Sequence, residues 1–248
     1  MRIIFAGLFV GLFLILSIPL LIAEAIAGKF NVQAKYASSM KVIRWAFRVV
    51  LWICGTKIDV YGEENMATDR SVLYVGNHRS IFDILLFYSI TKSATGIISK
   101  KEVGKVPLLR DWMNSIGCLF LDRKDIKAGL KMVLEAIERV KAGLSILIFP
   151  EGTRNKGEGL LPFKGGSFKI AEKSGCDIIP FAIINSEAIF EAHKPWIRKA
   201  HVTIIVGEPI ITVGLSRDEF KAIPEKTRDV VLAMYESKHD EIVPKTGE

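Results

Sequence analysis

The stretch Ser71-Val72-Leu73-Tyr74-Val75-Gly76-Asn77-His78-Arg79-Ser80-Ile81-Phe82-Asp83-Ile84-Leu85-Leu86-Phe87-Tyr88 decides how this chain folds. An apolar, β-branched run opens it, a second apolar run closes it, and a polar turn lies between. The pattern reads as strand, tight turn and helix. His78 then sits in the turn at the strand's C-terminal end, where α/β sheets place their chemistry. Ser80 and Asp83 have the Ser-x-x-acid spacing of a helix start, with Asp in the place usually held by Glu or Gln. Asp83 falls in the first helical turn. His78 cannot share a helix face with it, since five residues at about 100° each leave the two about 140° apart. They can meet only if His78 folds back from the turn over the helix N-terminus. A carboxylate on one imidazole nitrogen would orient the ring and free the other nitrogen as a base near neutral pH. Taken alone, the spacing reads more simply as a turn histidine satisfying a backbone carbonyl. The motifs downstream decide between the two.

Past Gly55 the apolar pattern alternates between strand and helix periods. Strands are predicted at 57–61, 72–75, 95–99, 118–121, 145–149, 177–184 and 201–206. Helices are predicted at 82–90, at 107–115 with Pro107 in the favoured first position, at 126–141 ended by Gly143, and at 166–173 closed by Gly175. A last helix spans 216–240, opened by Ser216 and Glu219 as a capping box and interrupted by Pro224. Pro180 is awkward in a central strand and marks a bulge or the strand's entrance. The alternation predicts an α/β fold, a mixed, mostly parallel sheet covered by helices, formed by residues 57–248.

Half of the 248 residues are apolar, enough for a substantial core. The net charge of +7 suits an anionic membrane, phosphate substrates or nucleic acid. Basic and aromatic residues are not interleaved as in a nucleic-acid module, so no nucleic-acid partner is expected. Cys54, Cys118 and Cys176 are scattered through apolar sequence. That argues against a disulfide framework or a zinc site and for buried, reduced thiols.

Residues 1–56 are expected to be N-terminal membrane-anchoring helices. Positions 3–23 give 21 residues without a charge. As a helix they would measure about 31 Å, enough to cross the hydrocarbon of a bilayer and long for the apolar core of a signal peptide. A second helix is predicted over 32–54. Lys41, Arg44 and Arg48 form a basic stripe on it, Val42, Ala46, Val49 and Ile53 another face, and Trp45 and Trp52 fall seven apart. This is the pattern of a helix lying along an anionic interface. Pro19 can bend the first helix, and Lys29, Lys35 and Lys41 keep its far end cytoplasmic. The expectation is a two-helix anchor inserted from the cytoplasmic side, with a single spanning helix as the alternative. The catalytic domain would then lie at the cytoplasmic face of the cell membrane.

Phe149-Pro150-Glu151-Gly152-Thr153-Arg154 follows a predicted strand. Gly152 permits close backbone approach, and Arg154 offers a planar fork suited to phosphate oxygens. Glu151 can hold that fork or bind a substrate hydroxyl. Leu160-Leu161-Pro162-Phe163-Lys164-Gly165-Gly166 can wall an acyl site. Gly117-Cys118-Leu119-Phe120-Leu121-Asp122-Arg123 places Arg123 at another strand end, so His78, Arg123 and Arg154 can converge on one rim of a parallel sheet. Lys100, Lys101 and Lys105 either add positive potential or form a solvated charge run. No metal is expected: His193, His201 and His239 show no ligand spacing. No P-loop is present around Gly104-Lys105, and Gly165-Gly166-Ser167-Phe168-Lys169 is not a nucleophile elbow.

Asn77-His78-x-Ser80-x-x-Asp83, Gly117-x-x-Phe120-x-x-Arg123, Phe149-Pro150-Glu151-Gly152-Thr153-Arg154 and Ile179-Pro180 resemble, in order and spacing, the four sequence blocks of the glycerolipid acyltransferases. Within them the chain is most similar to the 1-acylglycerol-3-phosphate O-acyltransferases. The resemblance covers roughly 60–210. Thr153 favours a lysophospholipid acceptor. Gly165 stands where many relatives carry a second lysine. The resemblance implies an enzyme moving a fatty acyl group from acyl-CoA or acyl-carrier protein to the sn-2 hydroxyl of lysophosphatidic acid. His78 and Asp83 would be the catalytic dyad. Lys105, Gly117, Phe120, Arg123, Glu151, Gly152, Thr153 and Arg154 would bind substrate, with the acceptor's phosphate on Arg154 and Arg123 or Lys105. No cofactor is implied. The alternatives are glycerol-3-phosphate or another lysophospholipid as acceptor, a lipid thioesterase using water, and a membrane-binding protein without catalysis.

Overall fold

The computed structural model describes residues 1–122 and 125–242, with side chains to residue 239. Seven strands form one sheet: β1 (Lys57–Tyr61), β2 (Leu73–Gly76), β3 (Thr95–Lys100), β4 (Leu119–Leu121), β5 (Ser145–Ile148), β6 (Ile178–Ile184) and β7 (His201–Val206). Their spatial order is β1-β7-β6-β2-β5-β3-β4. Every neighbouring pair is parallel except β6 and β7. The expected mixed, mostly parallel sheet is therefore present, and β6, β2, β5, β3 and β4 all end on one rim.

Strand period alone sorts the core. In β2 and the residue before it, Val72 and Tyr74 point to one face and Leu73 and Val75 to the other, and all are fully buried. The first face packs on helices α3 (Val32–Cys54), α4 (Phe82–Ile90) and α5 (Leu109–Ser115), the second on α6 (Ile126–Lys141) and α7 (Lys169–Ser174). A strand buried on both sides has to be apolar throughout, as this run is.

Pro180 lies inside β6, paired with Val75 of β2. On its other side β6 pairs Phe181 with Val206, but Ile178 with Ile210. Three steps on one side thus oppose four on the other, a bulge that removes the need for a donor at Pro180. Pro180 marks the bulge, not the strand's entrance. Pro224, by contrast, does not interrupt the last helix: α8 (Arg217–Ile242) runs through it. Phe220, Ile223, Thr227, Val231 and Tyr235 are buried on both sides of the proline, and that continuous face holds the helix together. The Ser216–Glu219 capping box is formed, with backbone N–H to side-chain oxygen distances of 2.7 and 3.3 Å.

The N-terminal segment departs from expectation. The apolar run is split into α1 (Arg2–Leu16) and α2 (Ile18–Phe30), bent by 51°. Ser17 at the break accepts a hydrogen bond from Trp112 Nε1 at 2.8 Å, and Pro19 sits in the first turn of α2, where its missing N–H costs nothing. Among the described residues no single helix is long and apolar enough to cross a membrane, although the bent pair would pass on length and composition. Helix α3 buries Met40, Ile43, Ala46, Val50 and Cys54, a face rotated from the expected one. Arg48 is not free on a stripe: its Nε donates to the Ser89 carbonyl at the end of α4, at 2.9 Å, a favourable place for a cation. Trp45 and Trp52 remain exposed.

Candidate active site

His78 is held from four directions. Its Nδ1 meets Asp83 Oδ2 at 2.8 Å. Its backbone N–H donates to Glu151 Oε1 at 2.7 Å, and its carbonyl accepts from the Asn155 N–H at 2.7 Å. Its ring stacks on Phe149, with centroids 4.3 Å apart. The fold-back over the helix N-terminus, required for His78 to meet Asp83, is what the structure contains. Asp83 is fully buried, and its Oδ2 also accepts from the N–H groups of Arg79 and Ser80, at 2.7 and 2.8 Å. With Nδ1–H donating to that carboxylate, Nε2 carries the lone pair. Nε2 has no hydrogen-bond partner among the described residues, and His78 lines an open cleft of about 780 Å³. A second pair, His201 Nε2 with Asp59 Oδ2, is equally close at 2.8 Å, but both side chains are about half exposed, and it is a solvated surface pair.

Asn77 supports the turn from beneath. Its side-chain amide exchanges two hydrogen bonds of 2.8 Å with the Ile183 backbone, extending the β2–β6 ladder by one residue. Gly76, just before it, has no room for a side chain, since a Cβ there would lie 2.3 Å from the Phe181 ring. Phe181 packs against Phe149, on which His78 stacks.

The apolar part of the cleft lining is Ile81, Ile84, Ile97, Ile98, Val103 and Phe149. Five cations, Arg79, Lys100, Arg154, Lys156 and Lys194, and the carboxylates Glu187 and Glu191 complete it. A lining that combines apolar and cationic side chains suits a molecule with a fatty tail and an anionic head. Thr153 and Arg154 lie on the cleft. Glu151 does not hold the arginine fork. It is buried under the turn, binding the N–H groups of His78 and, at 3.0 Å, Leu161, and burial pushes its carboxyl above the usual range. Gly152 has φ +73°, and a Cβ there would sit 2.8 Å from Lys164 Nζ.

Other expected residues lie elsewhere. Gly117 is at the N-terminal end of β4, the rim opposite His78, where its φ of +74° and the close Leu144 side chain exclude other residues. Its role is to let the chain turn into β4. Phe120 packs beside Gly104, and neither it nor exposed Lys105 lines the cleft; Lys100 does. Arg123 lies outside the described residues. The 160–166 loop does not wall the cleft either: Leu160 packs with Ala182, Ile184 and Val231 under α8. Asn155, Glu187 and Glu191 escaped sequence reasoning. Asn155 alone had a local signal, since it directly follows Arg154. Among the described residues no group of three or more His, Cys, Asp or Glu is placed to hold a metal ion. The three cysteines are free and buried, and burial pushes the Cys54 and Cys118 thiols up to about 11.

The chain is similar to known proteins of one family. The acyltransferase family model matches residues 57–184. A Borreliella burgdorferi protein named 1-acyl-sn-glycerol-3-phosphate acyltransferase is 31% identical over 199 residues, which cover 80% of each chain. One of the same name from Helicobacter pylori is 28% identical, over 86% of this chain and 90% of that one. One from Saccharomyces cerevisiae is 30% identical, over 75% of this chain and 62% of that one. The crystal structure of the 1-acyl-sn-glycerophosphate (LPA) acyltransferase PlsC from Thermotoga maritima matches 98% of this chain and 97% of its own, with a TM-score of 0.79 at 21% identity, and has the same fold. The chain therefore belongs to the acyltransferase family, in the group of the 1-acyl-sn-glycerol-3-phosphate acyltransferases.

Proposed function

We propose that this enzyme transfers a fatty acyl group from acyl-CoA or acyl-carrier protein to the sn-2 hydroxyl of lysophosphatidic acid, giving phosphatidic acid. The observation that carries the reading is the buried Asp83 carboxylate on Nδ1 of His78, which lines a cleft of apolar and cationic side chains. His78 Nε2 takes the hydroxyl proton as the oxygen attacks the thioester carbonyl. Asp83 stabilises the imidazolium that forms. When the tetrahedral intermediate collapses, the C–S bond breaks and the thiolate leaves with the proton from Nε2. No protein nucleophile takes part.

The oxyanion needs donors. The N–H groups of His78, Arg79, Ser80 and Ile81 are all engaged by carboxylates. Those of Thr153 and Arg154 have no partner among the described residues, and both residues line the cleft, so they serve the oxyanion in this reading. The Arg154 side chain, with Lys100 and Lys156 nearby on the lining, takes the phosphate. Exposed Leu8, Leu12, Ile15, Leu16 and Ile22 on α1 and α2 would sit in the membrane interface, from which the acceptor enters.

The test crosses acyl-CoA and acyl-carrier protein donors with lysophosphatidic acid, glycerol-3-phosphate and no acceptor. Thioester loss that requires lysophosphatidic acid is expected; equal loss without acceptor would make this a thioesterase. His78→Ala should lower turnover by roughly 10²–10⁴, the usual span for positioned proton transfer. Near-normal turnover by a folded variant would end the general-base assignment.

A further inference from the structure

Glu191 belongs to none of the sequence motifs. It lies beyond the end of β6, in a short 3-10 turn (Glu191–His193), with its side chain 14% exposed. Its Oε1 accepts from Arg154 Nη1 at 2.8 Å and from the Ile81 N–H at 3.1 Å. Its Oε2 accepts from the Ser80 hydroxyl. One carboxylate thus grips both the turn that carries His78 and the arginine that follows β5.

The atom it takes matters. A guanidinium has a side edge formed by Nε and Nη2, which can meet two oxygens of a phosphate together. Glu191 takes Nη1 and leaves that edge open; among the described residues neither Nε nor Nη2 of Arg154 has a partner. Arg79, the other arginine on the cleft, has no such edge. Its Nε is held by Glu187 at 2.7 Å and its Nη1 by the carbonyls of Gly157 and Gly159.

We infer that Glu191 is a positioning residue, which fixes the span between the His78 base and the phosphate-binding edge of Arg154 and so selects which acceptor hydroxyl, counted from the phosphate, is acylated. The inference rests on the acceptor reading above. In glycerol the hydroxyl on the carbon next to the phosphate-bearing one and the hydroxyl one carbon further lie at different distances from the phosphate. A base and an anion site linked through one carboxylate accept one distance and reject the other.

Steady-state kinetics with the 1-acyl and 2-acyl isomers of lysophosphatidic acid test this, using wild type, Arg154→Ala, Glu191→Ala, Glu191→Gln and the double Ala variant. Glu191→Ala should raise the acceptor KM roughly tenfold, the worth of a charged hydrogen bond, leave the donor KM unchanged and narrow the preference between isomers. In the double variant the acceptor KM should be no worse than in Arg154→Ala, because the aim of an absent side chain cannot be lost. Glu191→Gln keeps an oxygen for Arg154 and Ile81 and should restore the acceptor KM to within about threefold. If Glu191→Ala does not fold, Glu191→Asp replaces it; one methylene shorter, it cannot reach both partners and should show the same KM rise. A wild-type acceptor KM and isomer preference in these variants, or additive effects in the double variant, would overturn the inference while a raised KM in Arg154→Ala left the phosphate reading standing. An unchanged KM in Arg154→Ala would remove the phosphate reading and this inference together.

Discussion

Glu151 separates what a motif looks like from what its residues do. A glutamate one residue from a glycine and three from an arginine invites a role in substrate binding, yet its two oxygens hold backbone N–H groups of His78 and Leu161. The carboxylate stays in the fold at a cost, because burial raises its pKa. Between the ordinary glutamate value and the raised one the folded state holds more of the proton than the unfolded chain does. Its contribution to stability therefore falls as pH rises through that window and is level above it. Glu151→Gln should remove that slope in denaturant titrations run from acid to neutral pH. It should also lower stability at neutral pH by about 1–3 kcal/mol, since an amide that accepts from His78 presents a donor to the Leu161 N–H. A variant as stable as wild type at pH 7, with the slope intact, would show that this carboxylate does not brace the turn.

The strands and the loops that leave them explain why the site is where it is. Strands β6, β2, β5 and β3 deliver Glu191, His78, Arg154 and Lys100 to one rim only because they run parallel. The packing behind that rim is tight. Gly76 closes β2 against Phe181, which meets Phe149 edge-on, and Phe149 in turn stacks on His78, so this aromatic chain carries any displacement to the imidazole. Gly76→Ala should cost about 1–3 kcal/mol through overpacking. It should also reduce kcat by more than the loss of folded protein explains, with donor and acceptor KM little changed. Chemical denaturation beside initial rates checks this; a stable variant with normal kcat would mean that the aromatic stack does not hold the imidazole.

For the molecule entire, the α/β body and the N-terminal helices are packed on one another. Helix α3 lies against α4 through Arg48 and its apolar face, and the bend between α1 and α2 is fastened by Trp112 of α5. Glu24, buried in α2, accepts from Ser38 of α3 at 2.8 Å, so the helices meet each other through a polar contact as well. What α1 leaves uncovered is apolar: Leu8, Leu12 and Ile15 are about half exposed and lie along one side of the helix. Replacing all three with Ser should weaken partition onto phosphatidylglycerol-containing vesicles on the order of a hundredfold, at about 1 kcal/mol each for half-buried side chains. The circular dichroism spectrum should not change. Unaltered co-sedimentation would place the lipid contact elsewhere on the surface.

The sequence by itself determined the elements and pointed to the contact between His78 and Asp83. Strand and helix periods, caps and glycines are local, and β1, α4, α6 and β7 fall where the pattern puts them. The turn before Phe82 admits only a fold-back if His78 is to meet Asp83. Tertiary structure decided the rest, because it depends on residues distant in the chain. It turned α3 toward α4 rather than outward, and it split the apolar N-terminal run at Ser17, whose partner Trp112 is 95 residues away. It also brought Glu191, 37 residues beyond Arg154, onto that arginine. A period reports which face of an element is apolar; which other element covers that face is settled only when the whole core closes around it.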